Sequence, residues 1–276
     1  MREKINNKFI IVNRQEKEVN NDINITGKNL IYEVLRVIEK VPLFLEKHIT
    51  RLNDSIKLSN FSKFHNDDQL IKDIDKLINI NNVEVGNIKI VLDFNNKLIY
   101  LYFVPHNYPK QGDYINGIDT ILFSAKRKNP NVKYIDISLR EKINLKIKQD
   151  NVFEAILFDE DGYITEGSRS NIFLIKGNQI YTSPSDLVLK GITREIILEI
   201  CKNSNIKVNE IRLKKEDIIS FDGLFLCGTS PKILPIKSVS SYKFNSSSNS
   251  LILDLINKYN LFIDKSIKIY TGKTIT

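Results

Sequence analysis

An α+β fold, with strands and helices mixed along the chain, is what this sequence predicts, and three observations predict it. Short runs of Ile, Val, Leu, Phe and Tyr recur from end to end, bounded by Asn, Asp, Gly or Pro, as strands are. Stretches with apolar residues at helical spacing lie among them. The two kinds do not alternate regularly, which argues against a doubly wound sheet, and no internal repeat is present. At 276 residues the chain suits one large domain or two modest ones, and 42% hydrophobic with 27% charged residues is ordinary globular composition.

The elements follow in order. KFIIV (8–12) and NLIYEVLRVI (29–38) are β-rich. In the run at 42–60, Phe44, His48, Arg51 or Leu52, and Ser55 or Ile56 fall at helical steps. DDQLIKDIDKLINI (67–80) is a second amphipathic helix whose aspartates suit the positive helix start. The run at 83–106 reads as a hairpin turning at Asn95 and Asn96. The segment NYPKQGDYINGID (107–119), rich in turn formers, suggests a boundary between an N-terminal domain, 1–112, and a C-terminal one, 113–276. Beyond it come a strand at 119–126, a loop at 127–133, a helix at 136–149 and strands at 153–159, 163–167, 171–176 and 179–183. A helix at 191–204, a strand at 206–213, a short helix at 214–221, a strand at 223–229, the apolar segment KILPIKSV at 232–239, a polar loop at 240–250 and a helix at 250–262 complete the chain.

Composition excludes several classes. Cys201 and Cys227 stand in apolar runs without CxxC spacing, so two buried thiols of a reducing compartment are expected, and no metal site. The polar start MREKINNKF has no secretory pattern, and no apolar run is long enough to span a bilayer, so a cytoplasmic protein is expected. The net charge of +8 raises nucleic acid as a partner. The cations, however, are scattered, and the richest run, REKINLKIKQ, reads as a solvated helix face.

Candidate chemistry gathers at small residues beside helix and strand ends. LVLKGITREIILEIC sets Gly191, Ile192 and Thr193 at a helix start, where exposed N–H groups attract an anion. LFLCGTSPK ends a strand in Gly228, Thr229 and Ser230. Arg51 lies on an apolar helix stripe, where a guanidinium calls for a partner or a ligand. EGSRSNIF (166–173) puts Glu166 where two apolar strands meet. Read one at a time, these also fit an N-cap, a turn, a half-exposed helix residue and a turn carboxylate.

Together, EGSRSNIF, IYT (180–182) and LKGITR (189–194) resemble the signature of the class IV aminotransferases, the fold-type IV pyridoxal-phosphate enzymes. That group includes branched-chain aminotransferase, D-amino-acid aminotransferase and aminodeoxychorismate lyase. EAILFDEDGYITEG, FLCGTSPKILPI, YEVLRV and LFLEKHITRLNDS extend the likeness over residues 30–237. The resemblance implies a small N-terminal α/β sandwich and a larger, β-barrel-like C-terminal domain with helices. It also implies pyridoxal 5′-phosphate as cofactor and a homodimer. The cofactor lysine of the family precedes the glutamate by thirty-odd residues, which points to Lys133, 33 positions before Glu166. Chemistry alone leaves Lys126 and Lys128 as rivals, while Lys142, Lys146 and Lys148 belong to a helix face. By resemblance, Lys133 forms the Schiff base and moves the substrate's α-proton, and Glu166 keeps the ring nitrogen protonated. Arg51, Ile192, Thr193 and Thr229 bind the phosphate, and Asn171 supports Glu166. Tyr32, Arg36 and His106 are substrate-contact candidates.

The substrate pocket departs from two familiar patterns. Ser138 stands where branched-chain enzymes place a Tyr, five positions after the lysine. VPHNYPKQG carries His106 but none of the arginine that D-amino-acid enzymes use there, and TGKNL replaces a Gly-Asp-Gly-like lead to YEV. An amino acid and a 2-oxo acid are the expected substrates of a transaminase. A lyase releasing pyruvate is the alternative, and a cofactor-free binding protein or a nucleic-acid binder would be a different class.

Overall fold

The apolar runs fold as strands and the helix-spaced runs as helices in the computed structural model, which describes residues 2–20, 22–27, 29–106, 108–125, 130–134 and 137–272. The chain forms two units, one of residues 1–107, 132–135 and 263–276, the other of residues 108–131 and 136–262.

In the first unit come β1 (Arg2–Lys4), β2 (Phe9–Val12), β3 (Gln15–Glu18), β4 (Asp22–Asn24), β5 (Leu30–Ile38) and β6 (Val41–Pro42). They are followed by α1 (Leu45–Leu58), α2 (Asp67–Asn81), β7 (Val85–Asp93) and β8 (Leu98–Val104). Six strands pair antiparallel in the order β3-β2-β8-β7-β5-β6, and β1 pairs with β4. Alternation along β5 and β7 decides which side each residue covers. Ile31, Leu35, Ile88 and Ile90 pack with Leu52 and Ile56 of α1 and Ile74 and Leu77 of α2, whereas Leu30, Tyr32 and Val91 face a second cluster with Ile10 and Tyr102. Asn66 caps α2 by accepting from the Gln69 N–H. The β7–β8 turn is tied by Asp93, whose carboxylate accepts from both the Asn95 and Asn96 N–H groups.

The second unit contains α3 (Gln111–Asn116), β9 (Ile118–Ser124), α4 (Ile137–Gln149), β10 (Glu154–Phe158), β11 (Ile164–Gly167), β12 (Asn171–Lys176) and β13 (Gln179–Thr182). Next are α5 (Ile192–Asn203), β14 (Val208–Glu210), a 3-10 turn at Lys215–Ser220, β15 (Gly223–Gly228), β16 (Lys232–Val239), β17 (Tyr242–Lys243) and α6 (Ser250–Tyr270), whose residues from Ile263 onward belong to the first unit. The sheet runs β11-β10-β9-β16-β15-β12-β13-β14, with β17 beside β16. It curls as a half-barrel. The curl brings its two ends together: Ile164 N–H donates to Leu213 O at 2.8 Å, and Tyr163 bridges Lys214.

Three stretches differ from the sequence expectation. The boundary segment holds the short helix α3. The polar loop at 240–250 carries β17 and a 3-10 turn, because Phe244 and Ser246 are buried and the Ser246 hydroxyl accepts from Leu224 N–H at 2.9 Å. Helix α6 runs eight residues past its expected end, since Ile263 and Ile267 continue the buried stripe. Cys201 and Cys227 are buried free thiols. No described helix is long and apolar enough to cross a membrane.

Candidate active site

Pairing at the edge of β5 positions the candidate lysine. Strand β6 covers one end of that edge, at Val37 and Ile38. The segment at 133–134 covers the other: Tyr32 N–H donates to Lys133 O at 3.2 Å, and Ile31 bridges Tyr134. Lys133 is thus held by its own backbone, and its Nζ lies 5.1 Å from the centre of the Tyr32 ring. Lys89, on the neighbouring strand, lies 5.0 Å from the same ring and is paired with Glu3 at 2.6 Å. Lys126 and Lys128, the rivals, lie outside the described residues.

The opposite side chain of β5, Glu33, points to α1. Arg51 donates from Nε to Glu33 Oε2 at 2.9 Å and from Nη2 to Oε1 at 2.5 Å, a two-pronged, buried pair. His48, one turn earlier on the helix, brings Nδ1 within 3.2 Å of the same carboxylate. Burial alone would raise the Glu33 carboxyl, but the Arg51 guanidinium, aided by His48, holds it well below the usual carboxylate range. Burial outweighs Glu33 at His48 and lowers the imidazole, which is therefore neutral at pH 7. Arg51 is set rigidly by Glu33 at this buried position.

The other substrate candidates lie along the same unit. Arg36 shares the Tyr32 face of β5 and stands opposite Asn87 on β7, whereas Tyr32 stands opposite Val91. His106 lines a cleft with Asn6, Gly86 and Phe103, at the start of β7. The five steps from Gly86 to Val91 span about 17 Å of strand, so Tyr32 and His106 stand towards opposite ends of the sheet.

In the second unit, Glu166 near the end of β11 and Asn171 at the start of β12 are both buried. They grip the backbone of one residue, Leu189. Leu189 N–H donates to Glu166 Oε2 at 3.1 Å, and Asn171 Nδ2 donates to Leu189 O at 2.9 Å. Gly191 must be a glycine here, for a Cβ would stand 2.1 Å from Asn171 Oδ1. Gly191 is also the N-cap of α5 and supplies no side-chain cap, so the helix begins with bare N–H groups at Ile192 and Thr193. The Thr193 hydroxyl lies 3.3 Å from that of Tyr259. Arg194 anchors the helix by donating to Ser183 O and to Glu210 at 2.7 Å. Thr229 follows β15 in the turn at 229–231; Cys227, two positions earlier, pairs with Asn171, so the turn stands at the Asn171 end of the sheet. A Cβ on Gly228 would lie 3.7 Å from Arg169 O, in accord with that placement.

This set fits a flat anion with a basic ring nitrogen. The uncapped start of α5 suits a phosphate, and the buried Glu166 carboxylate suits a protonated nitrogen. Among the described residues no cluster of His, Cys, Asp or Glu could hold a metal ion. Sequence reading missed Glu33 and His48, and also Glu154, a carboxylate buried at the start of β10 that accepts from the Arg169 N–H at 2.7 Å. A signal existed for two of them: Glu33 and Glu154 stand inside or against apolar strand runs, as Glu166 does.

Comparison with known proteins supplies the context. The model of the family Amino-transferase class IV matches residues 30–239. A D-alanine aminotransferase of Bacillus licheniformis is 25% identical over 259 residues, covering 89% of this chain and 90% of its own. An aminodeoxychorismate lyase of Bacillus subtilis (strain 168) is 25% identical over 234 residues, 79% of this chain and 80% of its own. A solved branched-chain amino acid aminotransferase of T.th., holding pyridoxamine 5′-phosphate, superposes with a TM-score of 0.82 at 18% identity, over 98% of each chain.

Proposed function

The chain belongs to the class IV aminotransferases, and on that premise we propose that it is a pyridoxal-5′-phosphate-dependent transaminase moving an amino group between an amino acid and a 2-oxo acid. The observation that carries the reading is the shared grip of Glu166 and Asn171 on Leu189, which ties a buried carboxylate to a bare helix start two residues further on. When bound, the cofactor supplies an electron sink for the substrate's α-carbon. The chain's residues do the rest. Lys133 supplies the amine that holds the cofactor and moves the α-proton; Glu166 keeps the ring nitrogen protonated. Ile192, Thr193, Thr229 and Arg51 hold the phosphate, and Asn171 steadies the peptide beside Glu166. Tyr32, beside Lys133, is the substrate contact, whereas Arg36 and His106 lie towards the other end of the sheet and do not share its position; the enzyme works as a cytoplasmic homodimer.

Lys133→Ala tests the assignment. Turnover should fall by about a thousandfold or more, and borohydride should no longer fix pyridoxal phosphate to the protein. A variant that is still fixed covalently at wild-type yield refutes Lys133. The likeness to an aminodeoxychorismate lyase favours a second reading, in which the same residues release pyruvate. Pyruvate formed from aminodeoxychorismate without any 2-oxo acid would select it. Conversion of a panel of L- and D-amino acids would select the transaminase and give its handedness.

A further inference from the structure

The turn between Glu166 and Asn171 is built around a carboxylate that the proposed chemistry leaves unused. Glu154, the first residue of β10, is 3% exposed. A single oxygen, Oε1, accepts from the Arg169 N–H at 2.7 Å, the Ser170 hydroxyl at 2.9 Å and the Ser168 hydroxyl at 3.4 Å. The packing leaves no slack. A Cβ on Gly167 would stand 2.1 Å from Ser170 Oγ and 2.7 Å from Glu154 Oε1. Residues 167–170 therefore wrap one acceptor, and the two side chains that grip Leu189 stand immediately before and after them.

We propose that Glu154 is a positioning residue: by fixing the turn at 167–170 it sets the spacing of Glu166 and Asn171, and through Leu189 the register of the Glu166 carboxylate against the start of α5. The proposal rests on the reading of Glu166 as the partner of the cofactor's ring nitrogen. Burial, opposed by the Arg169 N–H and the Ser170 hydroxyl, pushes the Glu154 carboxyl up. The role is thus that of an acceptor of fixed shape, which a glutamine reproduces and an alanine does not.

The test uses Glu154→Ala, Glu154→Gln, Ser170→Ala, Glu166→Ala and the Glu154→Ala/Glu166→Ala double variant. Pyridoxal phosphate affinity is read by fluorescence titration of the stripped protein, and kcat and KM on the loaded enzyme. Glu154→Ala should weaken cofactor affinity and lower kcat by about tenfold each, with KM for the amino acid changing less, while Glu154→Gln stays within about twofold. Because Glu154 acts through Glu166, adding Glu154→Ala to Glu166→Ala should cost less than about twofold more. Wild-type values in Glu154→Ala, equal losses in the alanine and glutamine variants, or losses that multiply in the double variant would overturn the proposal. If Glu154→Ala does not fold, Ser170→Ala decides by the same criterion of non-additivity with Glu166→Ala. A silent Glu166→Ala would instead bring down the reading of Glu166, and the role of Glu154 with it.

Discussion

Glu33 gains its meaning only from a partner 18 positions away. In YEVLRV it is one acidic residue in an apolar strand; in the fold it is the counter-charge that orients Arg51, with His48 against it. Arg51 was legible because a guanidinium on an apolar stripe is anomalous by itself. Glu166 and Asn171 stood out as candidates because they share one short motif, EGSRSNIF, and Thr193 because it starts a helix in a second, LKGITR. Glu33 and Glu154 carried only the signal of an acid in or against an apolar run, and their partners, like that of His48, were not legible, because nothing local says what crosses over a strand. Glu33→Ala should lower unfolding stability by about 3–5 kcal/mol, the range for removing one member of a buried pair. Urea unfolding measures it, and a loss below about 1 kcal/mol would show the pair to be loosely held.

Helices α1, α2 and α5 were readable because each carries an apolar stripe, and α2 and α5 a recognisable start as well. The short helix α3 was not, since its six residues bury nothing and its signals are those of a loop. Strand β17 was hidden in serines, where only the buried Phe244 marks a packed edge. At the start of α5 the backbone of Gly191, with φ of −68° and ψ of 136°, would accept any residue. The constraint there is space. Gly191→Ala should therefore drive the Asn171 amide off Leu189, costing about 1–3 kcal/mol as overpacking does. Its signature in a thermal melt with and without pyridoxal phosphate is a smaller cofactor-induced rise in Tm than the wild type shows.

Over the whole molecule, the buried titratable groups give stability a direction in pH. Glu33 is held low, so its contribution is complete above the ordinary carboxylate range and fades as pH falls through its folded value. His48 and His65 are lowered, first of all by burial; they are neutral in the fold, and acid that charges them in the unfolded chain weakens the fold from about pH 6.5 downward. Glu154 runs the other way: its raised carboxyl contributes most below the ordinary range and loses that contribution as pH rises through its folded value. With the two histidines set against Glu154 in this window, urea midpoints should fall from pH 7 to pH 5, and Glu33→Ala should flatten the fall below pH 5. The α+β class was legible at this scale from the run pattern alone. The membership of residues 132–135 in the first unit was not, because the chain enters and leaves that unit within four residues. That excursion bears on inheritance. The codon for Lys133 is flanked by stretches encoding the second unit, yet the residue docks on β5 of the first. A recombination event that exchanges the gene after residue 107 replaces the lysine but leaves β5, the edge on which it docks. The two halves of such a gene can be inherited only as matched partners.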